Sequence, residues 1–251
     1  MITSRLGWTI KFLLGVLFLS TAKELASAET LRFVTPPSAG ATEGEASVSP
    51  TRDPLRIQYL IPASDFAGLP ESHRYIVAFN FRSDHTQTQS IDWPAPHERA
   101  WMSTTSQSSL SEVFDDNHGS DKTLVYDGPM TFSLLGSGPV DGPREFSDGT
   151  LLHTPFYYDP THGNLLVELQ DFDKNFPEPA VIDLVTIPGS DIRTLLNIGN
   201  ASAATGVLVP NIVTPIRFEF AVPEPSVLQL IVLTLLYPSS GRRRFAGISM
   251  R

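Results

Sequence analysis

Through the middle of the chain, apolar and polar residues alternate in short runs. Ile216, Phe218 and Phe220 interleave with Arg217, Glu219 and Ala221, the two-residue period of a strand with one face in a core. Similar β-type runs cover 55–61, 75–81, 100–104, 110–114, 123–126, 130–135, 150–158, 165–172, 181–187, 206–209 and 212–222. Turn chemistry separates them: Asp127-Gly128-Pro129, Gly136-Ser137-Gly138-Pro139, Asp148-Gly149 and Asp159-Pro160 through Asn164. The best short helix is Asp191–Leu196, with Ser190 as its cap. No internal repeat argues for a solenoid. The pattern predicts an all-β domain over 55–221, an antiparallel β-sandwich of jelly-roll type. Residues 29–54, rich in Pro, Ser, Ala, Gly and Thr, read as a flexible arm.

The two ends follow another grammar. Arg5 and Lys11 precede the apolar run Phe12–Leu19, and small residues lead to Ala26-Ser27-Ala28. These are the three parts of a secretory signal peptide, 1–28, with cutting after Ala28. They imply passage through the Sec translocon and cleavage by signal peptidase. At the other end, Pro223-Glu224-Pro225-Ser226 leads into the apolar segment Val227–Tyr237, and then Arg242-Arg243-Arg244. The arginines hold that end on the cytoplasmic side of a bilayer, so 222–251 reads as a tail with a short membrane helix.

This tail resembles the PEP-CTERM sorting signal of Gram-negative bacteria, a PEP motif followed by a membrane segment and a basic cluster. The resemblance implies recognition by exosortase near Pro223-Glu224-Pro225. It also implies delivery through a transient inner-membrane anchor to the outer surface or an exopolysaccharide matrix. Trp101–Thr105, Phe114–Asp121, Val125–Gly128 and Pro155–Glu168 look like the ectodomain common among such proteins, which carries an expectation of location and of a sandwich but of no reaction.

Composition narrows the chemistry. The chain has no cysteine, which removes disulfides, thiol catalysis and thiolate metal sites. Residues 29–225 carry 11 basic and 26 acidic side chains, a net charge of −15. So acidic a domain has no surface for nucleic acid.

One loop has metal-ligand spacing: side-chain oxygens at Asp115, Asn117 and Asp121, with Gly119 at the turn, approximate part of a calcium loop. The bidentate acid is missing, because Tyr126 stands at its place, and a capped polar turn is the plainer reading. Asp171, Asp173 and Asn175 repeat the spacing more weakly. The six histidines show no metal-binding spacing, and no serine occupies a G-x-S-x-G elbow. Glu168, Asp171 and Asp183 are the sheet acids that a glycosidase pair would draw on. Trp93, Trp101 and Tyr158 are the aromatics offered for stacking on sugar rings, against the plainer reading that they fill the core.

The expectation is a non-enzymatic secreted or cell-surface protein sorted by its tail. It needs no cofactor unless calcium binds at 115–121. The alternative is a module that binds exopolysaccharide, and a glycan hydrolase ranks third.

Overall fold

The computed structural model describes residues 30–49, 53–173, 180–187 and 192–222. Ala26, Ala28, the motif Pro223–Ser226, and Arg242–Arg244 lie outside them, as do the expected signal and tail helices. Among the described residues no helix is long and apolar enough to cross a membrane.

The described residues are all-β, with antiparallel sheets and only three short 3₁₀ turns. The strands are β1 (Thr30–Thr35), β2 (Ala46–Val48), β3 (Leu55–Ile61), β4 (Tyr75–Phe81), β5 (Ile91–Thr105), β6 (Thr123–Leu134) and β7 (Thr150–Tyr157). Then come β8 (Asn164–Asp171), β9 (Ile182–Thr186), β10 (Ile192–Ile198), β11 (Val207–Pro210), β12 (Ile212–Val213) and β13 (Ile216–Ala221). A four-stranded sheet runs β1-β13-β4-β7, a six-stranded sheet β11-β10-β3-β8-β5-β6, and a small sheet β12-β9-β2.

Period-2 alternation sorts the faces. Ile57, Tyr59 and Ile61 of β3, Val167 and Leu169 of β8, and Met102 of β5 point inward. They meet Ile76, Phe79 and Phe81 of β4 and Ile216, Phe218 and Phe220 of β13 in one buried cluster. The 3₁₀ turn Ala63–Phe66 inserts the Phe66 ring between the sheets, edge-on to Tyr158 at 5.1 Å and to Phe220 at 5.6 Å.

The strands β3 and β4 fall where alternation predicts them, and other elements correct the reading. The segment 29–54 is not an unstructured arm: β1 and β2 lie within it, and Leu31 and Phe33 pack on the core. The expected helix 191–196 is instead strand β10, held between β11 and β3. The run 110–114 supplies one bridge, Val113 to Thr205, and the start of the 3₁₀ turn Phe114–Asn117. Asp127-Gly128-Pro129 does not end a strand. β6 runs through it, with Gly128 at φ 143° and a register shift opposite, between Ala95 and Glu98. Pro94 and Pro96 sit where β5 pairs only with β6, beyond the reach of β8, so no ladder donor is lost on that side.

The first and last described strands meet at one place. β1 pairs with β13 so that Thr30 faces Ala221.

Candidate functional site

On the six-stranded sheet, the residues that alternate with the core set point outward. Arg56 and Gln58 of β3, Glu168 of β8 and Ser103 of β5 are polar, and all four are buried. Unpaired, such groups would be strongly destabilising. The chain between β5 and β6, residues 106–122, folds over them and supplies the missing partners.

Glu168 is the hub, with no exposed surface. Its carboxylate accepts from Arg56 Nε at 3.0 Å, Gln58 Nε2 at 2.6 Å and Gln170 Nε2 at 3.0 Å, and meets His118 Nε2 at 3.0 Å. Burial raises the Glu168 pKa, but the hydrogen bonds of His118 and Arg56 and the Arg56 charge outweigh it and hold the carboxyl below its ordinary range. Arg56 also donates to the Ala203 carbonyl at 2.7 Å and to Asp115 Oδ1 at 3.0 Å, and its guanidinium lies 4.4 Å over the Phe114 ring.

His118 bridges this hub to Ser103, whose Oγ lies 3.0 Å from His118 Nδ1. With Nε2–H donated to Glu168, Nδ1 is left to accept the Ser103 hydroxyl proton. Nucleophile, base and carboxylate thus stand in the order of a hydrolase triad. Ser103 and Glu168 have no exposed surface, and the His118 side chain is 3% exposed. The remaining valence of Ser103 Oγ is taken by the Gly119 N–H at 3.3 Å. The three groups fasten the covering segment, and a substrate has no route to the oxygen. Sequence reading missed this trio because it spans three elements, and Ser103 sits in a strand without an elbow motif.

The expected calcium oxygens lie in this covering segment, and each is engaged by the protein. Asp115 Oδ1 receives Arg56 and, at 3.3 Å, Lys122 Nζ, and Arg56 leads in holding its carboxyl below the usual range. Asn117 Oδ1 accepts the Ser111 N–H at 2.7 Å, while its Nδ2 donates to Gln58 Oε1 and to the Ser111 and Val113 carbonyls. Asp121 Oδ1 accepts the Thr104 N–H at 2.8 Å. Gly119 is required by close approach: a Cβ there would lie 1.8 Å from the Thr104 carbonyl oxygen.

The other expected residues are scattered. Glu168 points outward and Asp171, three residues on, points inward, while Asp183 is buried against Arg82 between β4 and β9, so these acids do not meet. Trp101 is half-buried beneath Lys122 Nζ, 5.0 Å from its ring centre. Trp93 lies on β5 opposite Phe132. Tyr158 is a core residue, not a stacking surface; its hydroxyl donates to the Gly163 carbonyl at 3.0 Å. The neighbouring Tyr157 points outward instead, half exposed and 5.3 Å from the Tyr75 ring.

Among the described residues, the group able to hold a metal ion is Glu43, Asp84 and His85, with one donor atom from each within 4.8 Å of the others. Glu43 Oε1 accepts the His85 N–H at 2.9 Å and lies 3.4 Å from His85 Nδ1. No known protein family, curated protein or solved structure matches the chain.

Proposed function

We propose that the chain is a non-enzymatic exported protein of the cell envelope: a jelly-roll-like sandwich delivered by an N-terminal signal and displayed by a PEP-CTERM-like tail that exosortase processes. The observation that supports this most is the pairing of Thr30 with Ala221. Cleavage after Ala28 leaves one residue before β1, and the tail begins one residue after β13. Both addresses therefore attach at one corner, and removing either leaves every strand intact. A tether at that corner points the rest of the domain away from the membrane.

The test is fractionation of a Gram-negative host expressing the full chain or a form ending at Ala221. The full chain goes to the envelope or outer surface, and the shortened form is exported but not retained. Finding both forms in the cytoplasm overturns the proposal.

Exopolysaccharide binding is a second reading, favoured by the exposed Tyr157, set against the half-buried Tyr75, rather than by Trp101 or Tyr158. A glycan array probed with the full chain and with Tyr157→Ala tests it, and equal binding by both, or none, rejects it.

A further inference from the structure

Beyond the core cluster, the inner face of the six-stranded sheet does not close. Between β3 and β10 on one side and the small sheet β12-β9-β2 on the other lies a cavity of about 260 Å³. Its walls include Ile57, Leu196, Ile182, Leu184, Phe81 and Val209. Native interiors are packed to crystal density and leave few voids larger than a water molecule. An apolar void of about 150 Å³ stays dry and takes benzene, so this one has room for roughly ten carbons.

Among the described residues, one charged side chain lines this cavity. Glu98 is 2% exposed, and its Oε2 has no hydrogen-bond partner among them. Register places Glu98 of β5 directly opposite Asp171 of β8, both on the inner face. Asp173, whose N–H donates to Asp171 Oδ1 at 3.0 Å, adds a second buried orphan oxygen, Oδ2. Like charges facing each other across a ladder repel. Among the described residues no basic side chain pairs with any of the three. The adjacent Arg99 turns the other way and binds Asp127 at 3.2 Å. Burial, then the charges of Asp171 and Asp173, push the Glu98 carboxyl well above its ordinary range.

The acids sit at one end of the cavity. Across the sheet, Glu98, Asp171, Leu55 and Ile198 form one row, with Ala100, Leu169, Ile57 and Leu196 behind it. Ile198 and Val48, which both line the cavity, are 55% and 43% exposed, so the acid row lies at the mouth. From that row to Tyr59 and Thr194 is four residues along the strands, about 13 Å.

We propose that this cavity binds an alkyl amine, a single apolar chain of about ten carbons with a primary ammonium held by Glu98. The chain fills the apolar depth. The ammonium supplies positive charge to the acid row and the hydrogen-bond donor that Glu98 Oε2 lacks. A carboxylate head would bring a further negative charge to the row, and a hydroxyl would leave its charge uncompensated. The inference does not depend on how the protein is delivered.

Calorimetric titration of the full chain at pH 7 with decylamine, decanol and decanoate tests it. Decylamine binds one to one, at least about ten-fold tighter than decanol, and decanoate binds weakest. Glu98→Gln removes that ten-fold preference and leaves decanol within about three-fold, which separates the site from diffuse attraction to an acidic surface. Leu196→Phe, which fills the cavity, weakens both. Equal affinity for the three ligands, tightest binding of decanoate, an unchanged amine affinity in Glu98→Gln, or no binding at all overturns the proposal. Should Glu98→Gln not fold, Asp171→Asn carries the same expectation of a reduced amine preference.

Discussion

The Arg56 guanidinium straddles the Glu168 carboxylate, donating from Nε to Oε1 and from Nη2 to Oε2 at 3.0 and 3.1 Å, with both side chains buried. A fork of this kind is strong because both bonds are charge-assisted and parallel. Here it also anchors residues 106–122, since Asp115, Phe114 and His118 all attach to one or other partner.

Removing one partner should therefore be far worse than removing a surface ion pair. Glu168→Gln takes from the buried Arg56 its buried counter-charge, leaving it the exposed Asp115 carboxylate, and should lower stability by about 3–5 kcal/mol, read by urea denaturation. The wild-type pair has a pH signature of definite sign. The Glu168 carboxyl titrates lower folded than its ordinary value of 4.5, so its contribution is complete above that value. It drains away as pH falls through the folded value. Glu168→Gln should lose that acid-limb slope, and an unchanged profile would mean that other acids dominate.

Ser103 tests whether the triad geometry is chemistry or carpentry. A fluorophosphonate probe should not label Ser103 in the folded protein, because Oγ is buried and donates to His118 while accepting from Gly119. Mass spectrometry of the probed peptide reads this directly. Stoichiometric labelling at Ser103 would show that the segment opens and that the enzyme reading must return.

Calcium should leave the protein unmoved at this loop. Asp115, Asn117 and Asp121 already satisfy Arg56, Lys122, Ser111 and Thr104, so an ion would have to displace protein donors. Millimolar calcium should shift the melting temperature by less than about 2 °C. A larger rise that vanishes in Asp121→Ala would show that the ion does compete.

Glu98 should act as a stability defect with a pH sign opposite to that of Glu168. Its folded value is raised, so the native state keeps its proton as the unfolded chain loses one above about pH 4.5. Stability then falls as pH rises from there towards the folded value. Among the described residues, Asp171 on β8, Asp173, Tyr59 on β3 and Tyr126 on β6 are titratable groups that couple to it. Glu98→Gln should gain on the order of 1 kcal/mol at pH 7 and nothing at pH 4. A loss at pH 7 would mean that the carboxylate has a partner in the fold.

The sandwich was legible because alternation survives wherever one strand face is core and the other is not, as in β3, β4 and β13. Asp191–Leu196 misled because a cap and apolar residues in helical spacing are local signals, while β10 is dictated by its neighbours β3 and β11. Thr30–Thr35 alternates as well, with Leu31 and Phe33 inward, but the glycine- and proline-rich stretch behind it masked a strand of only six residues. The sites were less legible still. Glu98 follows His97 in a stretch without any motif, and only the register against Asp171 reveals it as a buried acid. Glu168 looked like one acid among many until Arg56, Gln58 and His118, up to 112 residues distant, gathered around it.

The pairing of Thr30 with Ala221 also decides how the domain bears load. Pulling the two ends apart would peel β1 from β13 one hydrogen-bonded pair at a time, the direction in which a strand pair resists least. On the proposed export route, cleavage after Ala28 would leave the first strand with nothing to pull on it. Drag on a displayed domain would then reach the tail through β13 alone, and β13 is gripped on one side by β1 and on the other by β4. The strand that takes the strain is an interior one, and the vulnerable edge hangs slack.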